Sequence, residues 1–200
     1  MTLILPFRRM LASGGPSIIP GSAAYTSPGT YTFIVPYYNS LTVDVRGGGG
    51  GGAGNRWTGY YIYSSSPGNY SYFGAPDATL IGYGGGSATG SNWSPPVGGV
   101  SGGAGSAGGG DVNIPGGGSS GGYGSIVGDD SIGHLQGGDG GPGGRAYRTW
   151  VRSQWYTKLT PKSAITIVVG AGGAASECEP VYIQRYPIAG YNGAVYISWS

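Results

Sequence analysis

The sequence predicts an all-β protein in which a long glycine-rich insertion separates two strand-rich parts. Two patterns predict this class. Apolar residues alternate with period two near both ends of the chain, and no segment has the apolar spacing of an amphipathic helix. Glycine supplies 46 of the 200 residues, and only 9% of the residues are charged. Disordered chains are rich in charge and poor in aromatic rings, whereas this chain has 17 Tyr and 5 Trp. We therefore expect an ordered protein.

Residues 1–23 form the first predicted unit, an N-terminal arm. Its apolar residues follow neither a helical nor a strand period, so the arm cannot build a core alone and is expected to anchor the chain to another subunit or protein. The candidate anchoring residues are Leu3, Ile4, Leu5, Phe7, Met10 and Leu11. Pro6 interrupts an apolar run that is too short for a signal-peptide core or a membrane-spanning helix. We expect synthesis in a cytoplasm and no membrane insertion.

Residues 24–46 form the first predicted strand-rich part. "GTYTFIVP" places Tyr31, Phe33 and Val35 on one face, and "LTVDV" does the same for Leu41, Val43 and Val45. The Pro36 to Ser40 stretch between them favours a turn. The pattern predicts a hairpin with one buried side.

Residues 47–144 form the predicted insertion, which holds most of the glycines in blocks separated by aromatic stretches. A structureless loop of this length is uncommon inside a compact domain. Polyglycine can form an extended left-handed helix with about three residues per turn, similar to polyproline II. Glycine keeps its N–H and has no Cβ, so neighbouring segments can approach and pair. We expect stacked polyglycine II helices or, failing that, loops.

Residues 145–200 form the second predicted strand-rich part. "RAYRTWV" and "AITIVV" alternate, the latter with Ile165, Ile167 and Val169 on one face, and "TPKS" is a turn with Pro161 in its second position. The last strand, "GAVYISW", places Val195, Ile197 and Trp199 on one face.

The order of these pieces resembles the glycine-rich domain of bacteriophage tail fibres and related virion proteins. That family runs "PGTYTFxVP", a strand ending in a glycine run, a variable glycine-rich middle, a "T-P-x-x" turn, a strand ending "VGAGG" and a terminal "GxGxVxxxW". The corresponding residues here are Pro28 to Pro36, Leu41 to Gly52, Thr160 to Ser163, Ile165 to Gly173 and Gly190 to Trp199. The composition is also similar to the glycine-rich receptor-binding tips of some phage adhesins, in which polyglycine helices stack.

The resemblance implies a small, jelly-roll-like β-sandwich whose two halves, residues 24–46 and 145–200, flank the glycine-rich insertion. It further implies a structural virion protein of the tail fibre or tip region that contributes to host-surface attachment, assembled in the host cytoplasm. It also implies contacts of the arm with other virion proteins. A homo-oligomer is expected because residues 1–23 need a partner and half-buried strands leave edges to cover, and the resemblance to fibres favours a trimer. Two alternatives stay open: a capsid, tail decoration or head-fibre protein with no receptor role, and a bacterial surface glycine-rich protein. The family pattern carries no catalytic residues.

The aromatic residues between the glycine blocks are the candidate contacts for a host surface glycan or protein. Tyrosine and tryptophan bury large areas with few rotatable bonds and keep a polar group, which is why recognition surfaces favour them. The candidates are Tyr60, Tyr61, Tyr63, Tyr70, Tyr72, Phe73, Tyr83 and Trp93. The same rings are equally suited to covering the glycine segments, so both interpretations stand.

Other chemistry has little support in the sequence, and we expect no enzyme activity, cofactor or metal. A net charge of +2 predicts no nucleic-acid partner, and the single Cys178 excludes an intrachain disulfide. "GAGSAG" fits a dinucleotide motif without its strand and helix, and "GGSSG" around Ser119 fits a nucleophile elbow without the same context. The run from Asp129 to Asp139, which includes His134, matches no calcium loop and is explained by turns.

Overall fold

The computed structural model describes residues 17–56, 62–92, 98–129, 133–152, 159–179 and 183–200. No helix occurs within these ranges, and the predicted all-β class is confirmed. The strands are β1 (Gly21–Tyr25), β2 (Gly29–Ile34), β3 (Ser40–Arg46), β4 (Ser71–Gly74), β5 (Thr79–Gly82), β6 (Ala107–Gly108), β7 (Val112–Ile114), β8 (Ile126–Asp129), β9 (Gly133–Gln136), β10 (Arg145–Val151), β11 (Ala164–Val169), β12 (Ile183–Arg185) and β13 (Ala194–Trp199).

The strands pair antiparallel into three sheets. The first sheet has the order β1-β13-β3-β10-β7, the second β2-β11-β4-β5-β6 and the third β12-β8-β9. The first two sheets share one hydrophobic core, in which Val43 and Trp150 of the first meet Phe73 and Ile167 of the second. The rings of Phe73 and Trp150 have their centroids 5.8 Å apart across this core.

The period-two pattern identified the core-facing side of the strands correctly. In β3, β11 and β13 the predicted apolar faces point into the core: Leu41, Val43, Val45, Ile165, Ile167, Val169, Val195 and Ile197 are all buried. The "TPKS" turn is present as well, with the Ser163 N–H donating to the Thr160 carbonyl at 3.1 Å. Lys162 takes a left-handed backbone conformation in this turn, with φ of 69°.

The hairpin predicted between β2 and β3 is wrong. β2 pairs with β11 in the second sheet, whereas β3 pairs with β10 and β13 in the first. Both strands do bury one face, but from opposite sides of the core. After β2 the chain stays bound to the β11 side, since the Val35 N–H donates to the Ser163 carbonyl and the Lys162 N–H to the Val35 carbonyl. It then crosses to the other sheet.

The segment 47–144 supplies strands to both of the first two sheets, which a separate insertion would not do. Strands β4, β5 and β6 complete the second sheet, and β7 forms an edge of the first. Conversely, residues 170–179 and 188–193, which the resemblance places in a sandwich half, pack among glycine segments. Strand residues and glycine segments therefore alternate along the chain.

Glycine-rich segments pack side by side where the strands end, and we call them together the glycine layer. β3 continues directly into one of these segments, and β10 and β13 each follow another. The segments are residues 47–55, 65–69, 83–90, 100–106, 117–125, 137–144, 170–179 and 188–193.

Residues 47–53 lie at the centre of the glycine layer. The Gly47 N–H donates to the Gly144 carbonyl at 2.9 Å and the Gly50 N–H to the Gly141 carbonyl at 2.8 Å, so the same neighbour is met at every third residue. The N–H and carbonyl groups between them bond to other segments in the same way. The six neighbours, in order around the centre, are 65–69, 83–90, 137–144, 117–125, 188–193 and 170–179.

This arrangement explains the six consecutive glycines from Gly47 to Gly52. A Cβ on Gly50 would overlap the carbonyl oxygen of Gly86, and a Cβ on the next two glycines would overlap carbonyl oxygens of segments 170–179 and 117–125. The central segment is enclosed in every direction. At none of the six glycines does a side chain fit, whichever of the three faces the position occupies.

A peripheral segment needs glycine on only two of its three faces. In "GGDGGPGG", residues 137–144, a Cβ on Gly140 would overlap the Gly50 carbonyl of the centre, and one on Gly141 would overlap the Gly103 carbonyl of an outer segment. Asp139 and Pro142, three residues apart, occupy the remaining face and are half-buried. The spacing of three between Asp139 and Pro142 therefore reflects the way in which this segment packs.

Candidate functional site

The two ends of the first sheet have different surroundings. β3 enters the glycine layer directly after Arg46, and at its other end Leu41 pairs with Trp199. Trp199 also pairs with Gly21, the first residue of β1, and its Nε1–H donates to the Ile19 carbonyl at 2.9 Å. The chain therefore reaches β1 from the end of the sheet opposite to the glycine layer.

The outer surface of the second sheet carries a tyrosine groove of about 300 Å³, formed on β4 and β5 next to the glycine layer. Its walls are aromatic and its floor aliphatic. The residues that line it are Tyr70, Tyr72, Thr79, Ile81 and Tyr83.

The alternation of side chains along the two strands creates the tyrosine groove. Tyr72 lies directly opposite Ile81 in the β4–β5 ladder, so both point outward from the sheet. The rings of Tyr70 and Tyr72 stack with centroids 6.1 Å apart and planes 24° apart. Tyr70 is 52% exposed and Tyr83 is 46% exposed, so large parts of both rings face solvent. Near-parallel, exposed rings form a platform on which a flat apolar face can stack.

None of the residues that line the tyrosine groove carries a charge. The polar groups present are the phenol hydroxyls and the hydroxyl of Thr79, which both donate and accept hydrogen bonds. The chemistry of the groove therefore suits an uncharged ligand with an apolar face and hydroxyl groups at its edge.

A clamp fixes the β4–β5 hairpin to the opposite sheet. Asp77, in the loop between these strands, accepts a hydrogen bond from the Trp150 Nε1–H at 3.1 Å and one from Arg148 at 3.4 Å. The Arg148 guanidinium also lies over the Trp150 ring, 5.1 Å from its centroid. The indole N–H of a buried tryptophan needs such an acceptor. The strands that carry the groove are thus held at their loop as well as along their ladders.

The structure brings together three of the predicted contact residues and places Tyr63 apart from them. Tyr70, Tyr72 and Tyr83 line one groove. Tyr63 is half-buried elsewhere, with the guanidinium of Arg56 5.9 Å from its ring centroid. The remaining aromatic candidates Tyr60, Tyr61 and Trp93, and the anchoring candidates Leu3, Ile4, Leu5, Phe7, Met10 and Leu11, lie outside the described residues.

The prediction that Phe73 contacts a receptor is wrong. Its side chain is 0% exposed and packs in the core against Phe33 and Trp150. Side chains alternate between the two faces of a strand, so Phe73 of β4 points inward and its neighbour Tyr72 points outward.

Sequence reasoning missed a second set of exposed aromatic and aliphatic residues, on glycine-layer segments 117–125 and 188–193 and the chain just before the latter. The signal in the sequence was weak, because only Ile188 and Tyr191 show the spacing of three that marks an outward face. The exposed residues are Tyr123, Tyr186, Ile188 and Tyr191.

Charged groups meet where β3 and β10 join the glycine layer. Asp44 is paired with both Arg46, at 2.9 Å, and Arg145, at 2.7 Å. The hydrogen bond from Arg145 to Asp44 raises the pKa of the Arg145 guanidinium above its ordinary value. Arg46 and Arg145 are direct partners in the ladder, so one carboxylate joins the strand that leaves the sheet to the strand that returns.

Ser119, His134 and Asp139, which belong to the catalytic and metal motifs, have structural partners. The Ser119 hydroxyl donates to the main-chain carbonyl of Asn192, and His134 lies 3.4 Å from the Gln184 amide. Asp139 accepts from the Gly124 N–H at 2.7 Å. Within the described ranges no three His, Cys, Asp or Glu side chains cluster as a metal site would require.

Comparison of the chain with protein-family models, with curated proteins and with solved structures gives no match. In the part of the chain that the structure describes, no helix is long and apolar enough to cross a membrane.

Proposed function

We propose that this chain is a structural protein of a bacteriophage virion, in the tail fibre or tip region, that contributes to attachment to the host surface. The tyrosine groove carries the proposal, since three residues singled out as recognition aromatics line one uncharged, solvent-facing groove. Aromatic rings next to hydroxyl groups suit the apolar faces and hydroxyl edges of a neutral sugar. The mechanism is polyvalent: many copies each contribute a weak contact, and linked copies gain avidity.

The fold proposed with this function is a jelly-roll-like β-sandwich on which a bundle of polyglycine II helices stands. The shared core of the first two sheets supports the sandwich. Hydrogen-bond partners that recur every third residue, and six neighbours around residues 47–53, support polyglycine II packing. Such a bundle gives the groove a rigid border, because Tyr70 and Tyr83 adjoin glycine-layer segments whose backbones are bonded to their neighbours.

The adsorption of virions tests the role of the tyrosine groove. Virions in which Tyr72 and Tyr83 are both replaced by alanine are expected to adsorb to host cells at least tenfold more slowly, because two stacking rings are lost from every copy. The measurement is the adsorption rate constant of purified virions. Tyr186→Ala, which removes an exposed ring outside the groove, is the matched control and should leave the rate unchanged.

Two results would contradict the attachment role. One is normal adsorption by virions whose Tyr72 and Tyr83 variant is folded and incorporated at the wild-type level. The other is the location of the chain on the head in an image of the particle, which would favour the decoration alternative.

Deletion of residues 2–16 tests the proposed anchor. The deletion ends before β1, whose ladder with β13 stays complete, so the folded domain is expected to keep its stability. Incorporation into virions is expected to fall below a tenth of the wild-type amount, measured by quantitative immunoblotting of purified particles. A deletion of residues 2–8 is expected to reduce incorporation less, since Met10 and Leu11 remain. Wild-type incorporation of the longer deletion would refute the anchor.

A further inference from the structure

A second groove adjoins the tyrosine groove on the same face of the second sheet. It has a volume of about 290 Å³ and lies toward β2 and β11. Tyr70 lines both grooves and forms the ridge between them. The residues that line the second groove are Pro28, Asn69, Tyr70, Val168, Val169, Gly170 and Ala171.

The strand registers place the two grooves next to each other along one face of the second sheet. Val168 pairs with Thr30 on one side and Tyr72 on the other, and Tyr72 pairs with Ile81. These residues therefore form a row that crosses four strands of the sheet. Adjacent strands lie about 4.8 Å apart, so the row is about 14 Å long. This length exceeds a single sugar ring.

The second groove matches the first in chemistry. None of its lining residues carries a charge, and its walls are the aliphatic Val168 and the ring of Tyr70. Asn69 adds an exposed side-chain amide, which has two donors and one acceptor. A charged ligand would lose hydration in both grooves without gaining an opposite charge. The absence of charge along both grooves favours a neutral occupant.

We propose that the two grooves are consecutive subsites for a linear, neutral oligosaccharide that passes over Tyr70, with one sugar unit on each side of its ring. This inference rests on the proposed attachment function and specifies the class of ligand. Tyr70 contacts both units, Thr79 supplies a hydroxyl to the unit in the tyrosine groove, and Asn69 supplies its amide to the unit in the second groove.

Binding as a function of chain length tests the two subsites. The probes are neutral oligosaccharides of one to four units, released from the surface polysaccharide of a strain to which the virions adsorb. Their dissociation constants for the purified full chain are measured by calorimetry. Affinity is expected to rise at least tenfold from one unit to two and to change little beyond three units.

Two single substitutions distinguish the subsites. Thr79→Ala is expected to weaken binding of every length by about fivefold, the effect of one hydrogen bond. Asn69→Ala is expected to weaken binding of two or more units by a similar factor and to leave the single unit unaffected. Both side chains are on the surface, so neither change is expected to alter stability.

Three results would overturn the inference: equal affinity for one and two units, an Asn69→Ala effect that is the same at every length, or no binding of any neutral fragment. Tighter binding of charged fragments would overturn the neutral class. The attachment function is decided separately by virion adsorption. Slow adsorption of the Tyr72 and Tyr83 variant without a dependence on glycan length would retain the function and reject the two subsites.

Discussion

Replacing Gly50 by alanine is expected to lower the free energy of unfolding by about 3 kcal/mol, which corresponds to a loss of roughly 6–12 °C in Tm for a domain of this size. The new methyl group would overlap the carbonyl oxygen of Gly86, and the backbone on the other sides leaves no room for a shift. Relief of the overlap requires hydrogen bonds between the central segment and its neighbours to lengthen. Urea unfolding followed by tyrosine and tryptophan fluorescence measures the change.

Gly103→Ala is the matched control for Gly50→Ala. Gly103 belongs to the outer segment 100–106, and a Cβ at this position would meet no atom within 4 Å. Alanine there reduces the freedom of the unfolded chain, so stability is expected to stay the same or to rise by about 0.5 kcal/mol. Equal effects of the two substitutions would contradict the enclosed position of residues 47–53.

Replacing Phe73 by alanine is expected to cost about 3–5 kcal/mol, the range for a large aromatic side chain removed from a packed core. The cavity would open between Phe33 of the second sheet and Trp150 of the first, at the interface of the two sheets. Thermal unfolding followed by circular dichroism measures the effect.

Tyr72→Ala, one residue away, is the control for Phe73→Ala. Tyr72 points outward into the tyrosine groove, so its loss is expected to change stability by less than about 1 kcal/mol while it weakens ligand binding. A small effect of Phe73→Ala on stability, together with a large effect of Tyr72→Ala, would contradict the assignment of Phe73 to the core and of Tyr72 to the outer face of β4.

The faces of the strands could be predicted from the sequence, whereas their partners could not. Alternation along β3 and β11 is a local property, so Val43 and Ile167 were placed correctly on buried faces. Pairing depends on distant residues: Val43 lies opposite Arg148 and Ile197, both more than a hundred positions further along the chain. The nearest apolar segment was therefore a misleading guide to the partner of β3.

The tyrosine groove was only partly predictable for a related reason. Tyr70, Tyr72 and Phe73 belong to one aromatic run, and residue type alone does not separate the outward rings from the inward one. The period of two in "NYSYFG" does separate them, because Tyr70 and Tyr72 share one parity and Phe73 has the other. That Tyr83 would join them required the β4–β5 ladder, which aligns Ser71 with Gly82.

Hydrogen-bond partners that recur at every third residue set a rule for changes of length in the glycine layer. Loss of one residue ahead of Pro142 in "GGDGGPGG" would move every later position of that segment to the next of the three faces and bring Pro142 onto a face that a carbonyl oxygen occupies. Loss of three residues would shorten the segment by one repeat and keep each face as it was. Insertions and deletions in these segments are therefore expected to be tolerated in multiples of three.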